Sequence, residues 1–207
     1  MKKFFAIIIA LLSISINANA QEKATSINIG FAPFGSIQER ISLKDEKYKY
    51  NYKSYWSAVA GLEKQFKGVT SMTEITYSSA KFDKYDLKGV PEQFNPYQTE
   101  DIQDFTLIQY VGKTINPNKR IQFPLYVGIG GEYILGGPFH NLAFDGAAKA
   151  RVKFFITNNI GVYAGGNFRY GFGMKKADDD KSSLSNTTDY SIGSIVWNVE
   201  AGITIGL

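Results

Sequence analysis

From Ile121 to Tyr133 the residues change character at almost every step. Ile121, Phe123, Leu125, Val127, Ile129 and Tyr133 fall at one parity, and Gln122, Pro124, Tyr126, Gly128, Gly130 and Glu132 at the other. Side chains of an extended strand point alternately to its two faces, so this stretch reads as a long strand with one apolar side. The next segment repeats the pattern: Leu142, Phe144, Ala148, Ala150, Val152 and Phe154 oppose Asn141, Asp145, Lys149, Arg151 and Lys153. A third follows, with Ile160, Val162, Ala164, Phe168, Tyr170 and Phe172 against Gly161, Tyr163, Gly165, Asn167, Arg169 and Gly171. Period two over three successive segments excludes a helical bundle and leaves an all-β protein.

Further strands are expected at about Ser26 to Phe34, Ser54 to Gln65, Val69 to Ser79, Asp104 to Thr114 and Ser191 to Gly206, making eight in all. Composition agrees: aromatics reach 14%, with Tyr 13 and Phe 15, and Gly 20 adds backbone freedom. Charged residues at 20% and apolar ones at 44% exclude both a disordered chain and a stack of membrane helices. With Cys 0 there is no disulfide, no thiolate metal site and no cysteine nucleophile. His 1 leaves no histidine cluster for a metal.

The first twenty residues read as an export signal. Lys2 and Lys3 are followed by an apolar run from Phe4 to Ile16, and Ala18-Asn19-Ala20 suits signal peptidase. Cleavage between Ala20 and Gln21 is expected, leaving residues 21–207 as the mature domain. Without Lys2 and Lys3 the 23 basic residues become 21 against 19 acidic ones. So small a surplus on an exported chain gives no reason to expect nucleic acid as a partner.

Connection lengths carry the next step. Lys67-Gly68, Asn116-Pro117-Asn118-Lys119 and Thr157-Asn158-Asn159 read as tight turns, whereas Gly35 to Lys53, Ala80 to Gln103, Leu135 to His140 and Met174 to Tyr190 read as long connections. Short turns on one rim, long polar loops on the other and an even strand number predict an eight-stranded antiparallel up-and-down transmembrane β-barrel. Lipid offers no hydrogen-bond partner, so such a sheet must close on itself. Eight strands leave an interior filled by side chains, with no open pore. The inward set then contains Glu63, Glu74, Glu132, Asp145 and Glu200 with Lys149, Arg151, Lys153 and Arg169. Such a buried network must be close to neutral and fully hydrogen-bonded. Asp145 and Arg169 should be direct or diagonal neighbours across one hairpin.

The leader, the eight alternating segments and the final strand VWNVEAGITIGL resemble the small outer-membrane β-barrel family that includes outer-membrane protein X and the transmembrane domain of outer-membrane protein A. Accessory barrels of conjugal-transfer and secretion systems are similar in size. The resemblance covers nearly all of residues 26–207. It implies residence in the outer membrane, contact with its lipid and lipopolysaccharide, and insertion by the barrel-assembly machinery. Some barrels of this size modify lipid A with a His and a Ser two residues on. Here His140 is followed at that distance by Leu142, and a rim histidine without a catalytic role is expected.

No other motif calls for chemistry, a cofactor or a metal. Gly128, Gly130, Gly131, Gly136 and Gly137 fit no phosphate-binding pattern and read as room in a crowded wall. Asp178-Asp179-Asp180 lacks the spacing of a calcium loop and is flanked by Lys175, Lys176 and Lys181. Tyr48, Tyr50, Tyr52, Tyr55 and Trp56, interleaved with Lys47, Lys49 and Lys53, suggest a first strand pair that extends above the membrane into an aromatic girdle. The expected function is non-enzymatic: a barrel acting through its loops in adhesion, envelope integrity or assembly of a surface machine. The loops' partner is not legible. The alternatives are a soluble periplasmic lipocalin-like carrier with its apolar faces turned inward around a ligand, and, more distantly, a lipid A-modifying enzyme.

Overall fold

In a computed structural model, residues 24–43, 46–88, 101–117, 119–136, 141–174 and 190–207 are described. They form eight strands: β1 (Ala24–Leu43), β2 (Glu46–Phe66), β3 (Val69–Lys88), β4 (Ile102–Ile115), β5 (Ile121–Leu135), β6 (Asn141–Phe155), β7 (Ile160–Met174) and β8 (Tyr190–Gly206). Each pairs antiparallel with the next, and β1 closes on β8. The leader, the Ala20/Gln21 junction, His140 and Asp178 to Asp180 lie outside the described residues.

The barrel is inside out relative to a water-soluble protein. Val127 is 62% exposed and Ile75 60%, whereas Asp145 is wholly buried and Arg151 and Arg169 nearly so. On β5 the outward residues Ile121 to Tyr133 rise about 30 Å, at ~3.3 Å per residue and a tilt of ~40°. That matches the hydrocarbon thickness of a bilayer. This orientation corrects the lipocalin-like alternative, which requires the apolar faces to line the interior.

One rim is made of short connections. Lys67 and Gly68 both take positive φ, 47° and 82°, the two-residue turn that matches strand twist and that glycine permits at its second position. The Asn116 and Thr157 turns lie at the same rim, where the Gly206 amide donates to Asn159 and the Leu207 amide to Thr25.

At the other rim the expected loops from Gly35 to Lys53 and from Ala80 onward are in large part strand. β1 and β2 continue to Leu43 and Glu46 and are paired again from Ile37 opposite Tyr52 upward, β3 runs on to Lys88, and β8 supports β1 as far as Tyr190. Because the β3–β4 ladder ends at Ala80 and Ile102 while β1, β2 and β3 stay paired above it, these three strands rise as a wall among the described residues, flanked by β8, which β7 accompanies as far as Ile192. Ala32, Ile37, Tyr50, Tyr52, Tyr55, Ala80 and Val196 of β8, β1, β2 and β3 form an apolar cluster inside with Ile102 of β4 and Ile134 of β5. Tyr50, Tyr52 and Tyr55 therefore face inward and do not join an outer girdle. A bulge between Phe31 and Phe34 shifts the β1 register, and Ser54, at φ 51°, breaks the alternation of β2. At these points the inward parity changes, from Ala32 to Ile37 and from Tyr52 to Tyr55.

Candidate functional site

The charged residues inside the barrel sort into two levels. At the lower level, β6 turns Lys149, Arg151 and Lys153 inward, because three consecutive odd positions share one strand face. They meet acids from β2, β3 and β8. Arg151 bonds Glu74 through Nη2 at 2.6 Å and Glu200 through Nε at 2.6 Å. Lys149 pairs with Glu74 and, at 3.2 Å, with Glu200. Lys153 pairs with Glu63 at 2.6 Å, and Glu63 also accepts from Tyr126 and Asn28 at 3.0 Å. Arg151 lies over the Tyr163 ring at 4.4 Å. Three acids face three bases, each charge has a partner, and these side chains fill the lumen. Gly128 helps, since a Cβ there would come within 2.6 Å of the Tyr110 ring.

The upper level is not balanced. Arg169 is its one buried cation among the described residues, and it faces Asp104, Asp145 at 3.4 Å and Glu132 at 3.9 Å. The Ser194 hydroxyl donates to Glu132 at 3.0 Å. Asp145 pairs in register with Gly171 and Ala147 with Arg169, so the Asp145–Arg169 contact is diagonal. A Cβ on Gly171 would lie 2.7 Å from Asp145 Oδ1 and 2.3 Å from Ser194 Oγ, so glycine there gives the carboxylates their room. The guanidinium occupies the centre that a metal would need. No group of three His, Cys, Asp or Glu among the described residues is arranged to hold an ion.

Above this level Glu39 accepts a hydrogen bond from Tyr52 at 2.8 Å. Its strand neighbours Gln38 and Arg40 face outward and are polar, which places it beyond the apolar band. Burial raises the Glu39 carboxyl to about 7, the Tyr52 hydrogen bond opposes the rise, and Asp104 adds to it. Burial and Glu39 together push the Tyr52 phenol up, so it stays a donor.

The sequence reading missed Glu39 and Asp104 as interior acids. Asp104 shares parity with the buried Thr106 and Tyr110 and opposes the exposed Phe105, so alternation on β4 was a sufficient signal. Glu39 carried none, because the register shift at Pro33 breaks the parity count.

The outside of the raised wall is polar and basic. Phe31, Trp56, Tyr77 and Phe105 form a row of rings across β1 to β4, with centroids 6.1, 5.4 and 4.8 Å apart in turn. Just above it the register sets Lys53 opposite Lys81, Asn51 opposite Lys84 and Arg40 opposite Lys49. Arg40 donates to Gln38 at 2.8 Å, and Gln38 to Asn51 at 2.7 Å, which ties these residues to one outer face. At the short-turn rim, Glu63, Lys119, Arg120, Gln122 and Lys153 help line a cavity of ≈ 300 Å³ at the barrel mouth.

No family model matches the chain, and no curated protein matches it. Among solved structures it is similar to neisserial surface protein A, at 11% identity and TM-score 0.47, over 89% of this chain and 99% of that one. It is also similar to the outer membrane protease OmpT from Escherichia coli, at 9% identity and TM-score 0.44, over 91% and 99%. A third is the attachment invasion locus protein Ail of Yersinia pestis, solved with the heparin analogue sucrose octasulfate, at 15% identity and TM-score 0.37, over 89% and 100%.

Proposed function

We propose that this chain is a non-enzymatic outer-membrane barrel whose raised wall and adjoining long-loop rim form a binding surface, used in adhesion, envelope integrity or assembly of a surface machine. The observation that carries the reading is the inverted burial: an apolar outer band of bilayer height around a lumen packed with paired charges. In water such a band would be an aggregation surface far larger than the few hundred Å² that soluble monomers expose. In lipid it is the only stable arrangement for a closed sheet. The filled lumen argues for action at the rim, since the cross-lumen ion pairs obstruct solute passage. The leader fits export, with maturation at Ala20/Gln21, and insertion by the barrel-assembly machinery.

Fractionation tests the reading. Protein expressed in a Gram-negative host should start at Gln21 and sediment with outer membrane, leaving it only with detergent. Recovery as soluble periplasmic protein would overturn the reading.

A further inference from the structure

We infer that the cavity at the short-turn mouth of the barrel is a binding site for an acidic saccharide, a sugar ring that carries a carboxylate. It lies at the opposite end from the raised wall, and its geometry is independent of what that wall binds.

The room comes from the strand ends. At ≈ 300 Å³ the cavity falls at the lower end of the size range of small-molecule sites. It is open because β8 ends on Gly206, where an added Cβ would meet nothing nearer than Asn159 Cα at 3.5 Å. The turn before β5 is tied across it. The Pro117 carbonyl accepts from Gln122 at 2.6 Å and from Gln65 at 3.4 Å, and the Arg120 carbonyl accepts from the Phe155 amide at 2.8 Å. Walls already held in place lose little freedom when a ligand enters.

The floor favours a hydroxyl. Glu63 is 3% exposed and lines the cavity, and its bonds from Lys153, Asn28 and Tyr126 all end on Oε2. That leaves Oε1 as an acceptor for the cavity. A bare anion gains nothing from a carboxylate oxygen, whereas a ring hydroxyl donates to it in a charge-assisted bond. At the mouth the Thr157 hydroxyl accepts from the amides of Asn159 at 3.2 Å and Ile160 at 2.9 Å, so its own proton is available to a ligand oxygen.

The rim favours a carboxylate. Lys119 and Arg120 line it, both are exposed, and neither is ion-paired among the described residues. With Lys153 they set three cations against the one acidic side chain, Glu63, in the lining. Phe155, beside Arg120, offers a ring face to the C–H bonds of a sugar. The ligand that fits is hydroxylated at its inner end, apolar on one ring face and anionic at its outer end. An extended peptide fits less well, because it needs an open strand edge and the closed barrel has none here.

The test is a titration of the full barrel, refolded in detergent micelles that leave both mouths open to solvent. NMR follows the backbone amides of residues 157–159 and the side-chain amides of Gln65 and Gln122. Glucuronate should shift these signals saturably at millimolar concentration. Glucose, in which a hydroxymethyl group replaces the carboxylate, and acetate, which lacks the ring, should each bind about tenfold more weakly or worse. The variant K119Q/R120Q alters an exposed turn only and should lose the preference for glucuronate over glucose. The variant K67Q/K113Q, which removes as many charges from the same rim outside the cavity, should keep it. G206L fills the cavity and should abolish the shifts; if it fails to fold, K119Q/R120Q decides alone. Absence of saturable shifts with glucuronate overturns the inference, as does a preference that survives in K119Q/R120Q or binding that survives in folded G206L. Equal binding of glucose would leave the cations without a role, and equal binding of acetate would make the cavity a simple anion site; either result overturns it too. None of these outcomes alters fractionation with the outer membrane, so the proposed function stands or falls separately.

Discussion

At the scale of single residues, Glu39 ties stability to pH. Its carboxyl is raised in the folded protein to about 7 from an ordinary 4.5. The folded state therefore holds a proton that the unfolded state has lost between these values, and stability falls as pH rises from about 4.5 to 7. The loss is complete above 7. Glu39→Gln keeps an acceptor for Tyr52 and removes the titration. In urea unfolding from vesicles it should flatten the slope between pH 5 and 8 and add up to ~3 kcal/mol at pH 8; an unchanged slope would show that Glu39 is ionised without penalty. The two central alanines of β6 report the faces. Ala148 is exposed, whereas Ala147 packs against Met72, Ile108, Tyr110 and Tyr126. Ala148→Lys should cost ~2–4 kcal/mol near the bilayer midplane, and Ala148→Leu close to nothing. Ala147→Leu should cost ~1–3 kcal/mol by overpacking, while Ala147→Lys finds the acid surplus around Arg169 within reach. Refolding yields of the four variants check this ranking, and the reverse order for leucine would invert the faces.

At the scale of elements, what could be read from the chain depended on unbroken parity. β5, β6 and β7 carry no register shift against each other's outward residues, and their inner and outer sets follow from alternation alone. β1 to β3 do not. Ala32-Pro33-Phe34 and Lys53-Ser54-Tyr55 each insert a step, so the polar-apolar rhythm stops at Phe34 and resumes in the other phase. Read as one phase, nearly half of the first hairpin looks like a loop; read with the shift, it is a wall with tyrosines inside and lysines outside. Within the interior, the charges on β5 to β8 were legible for the same reason, whereas the partners were not, since every lower-level pair joins strands that are not neighbours. The wall and the band are separable in this picture, because the band's pairing from Ala24 to Ala32 needs nothing above it. Replacing residues 37–52 with Asn-Gly should leave a barrel that inserts and retains a mobility difference between unboiled and boiled samples. Failure to insert would show that the wall is needed to close the barrel.

At the scale of the whole molecule, closure and the cross-lumen ties act together. The sheet joins neighbours only, from Ser26 opposite Gly206 around to Leu43 opposite Tyr190. Arg151 instead links β6 to β3 and β8 at once, through Glu74 and Glu200. A buried group of charges does not by itself make a protein more stable, because desolvation offsets most of the attraction. Breaking it is different, since the acids left behind are buried without their partner. Arg151→Met should therefore cost ~3–5 kcal/mol, leaving Lys149 alone with two carboxylates. In cold SDS the closed barrel should run apart from the boiled chain, and the temperature of conversion reads its stability. For a chain of this size ~3–5 kcal/mol corresponds to a fall of about 10 °C. Arg151→Met with Glu200→Gln removes the surplus carboxylate, leaves Lys149 paired with Glu74, and should recover most of that fall. If the single and double variants convert together, the pairing of these charges contributes nothing and only the volume of Arg151 matters. If unboiled and boiled protein run alike from the start, the closed barrel itself is wrong.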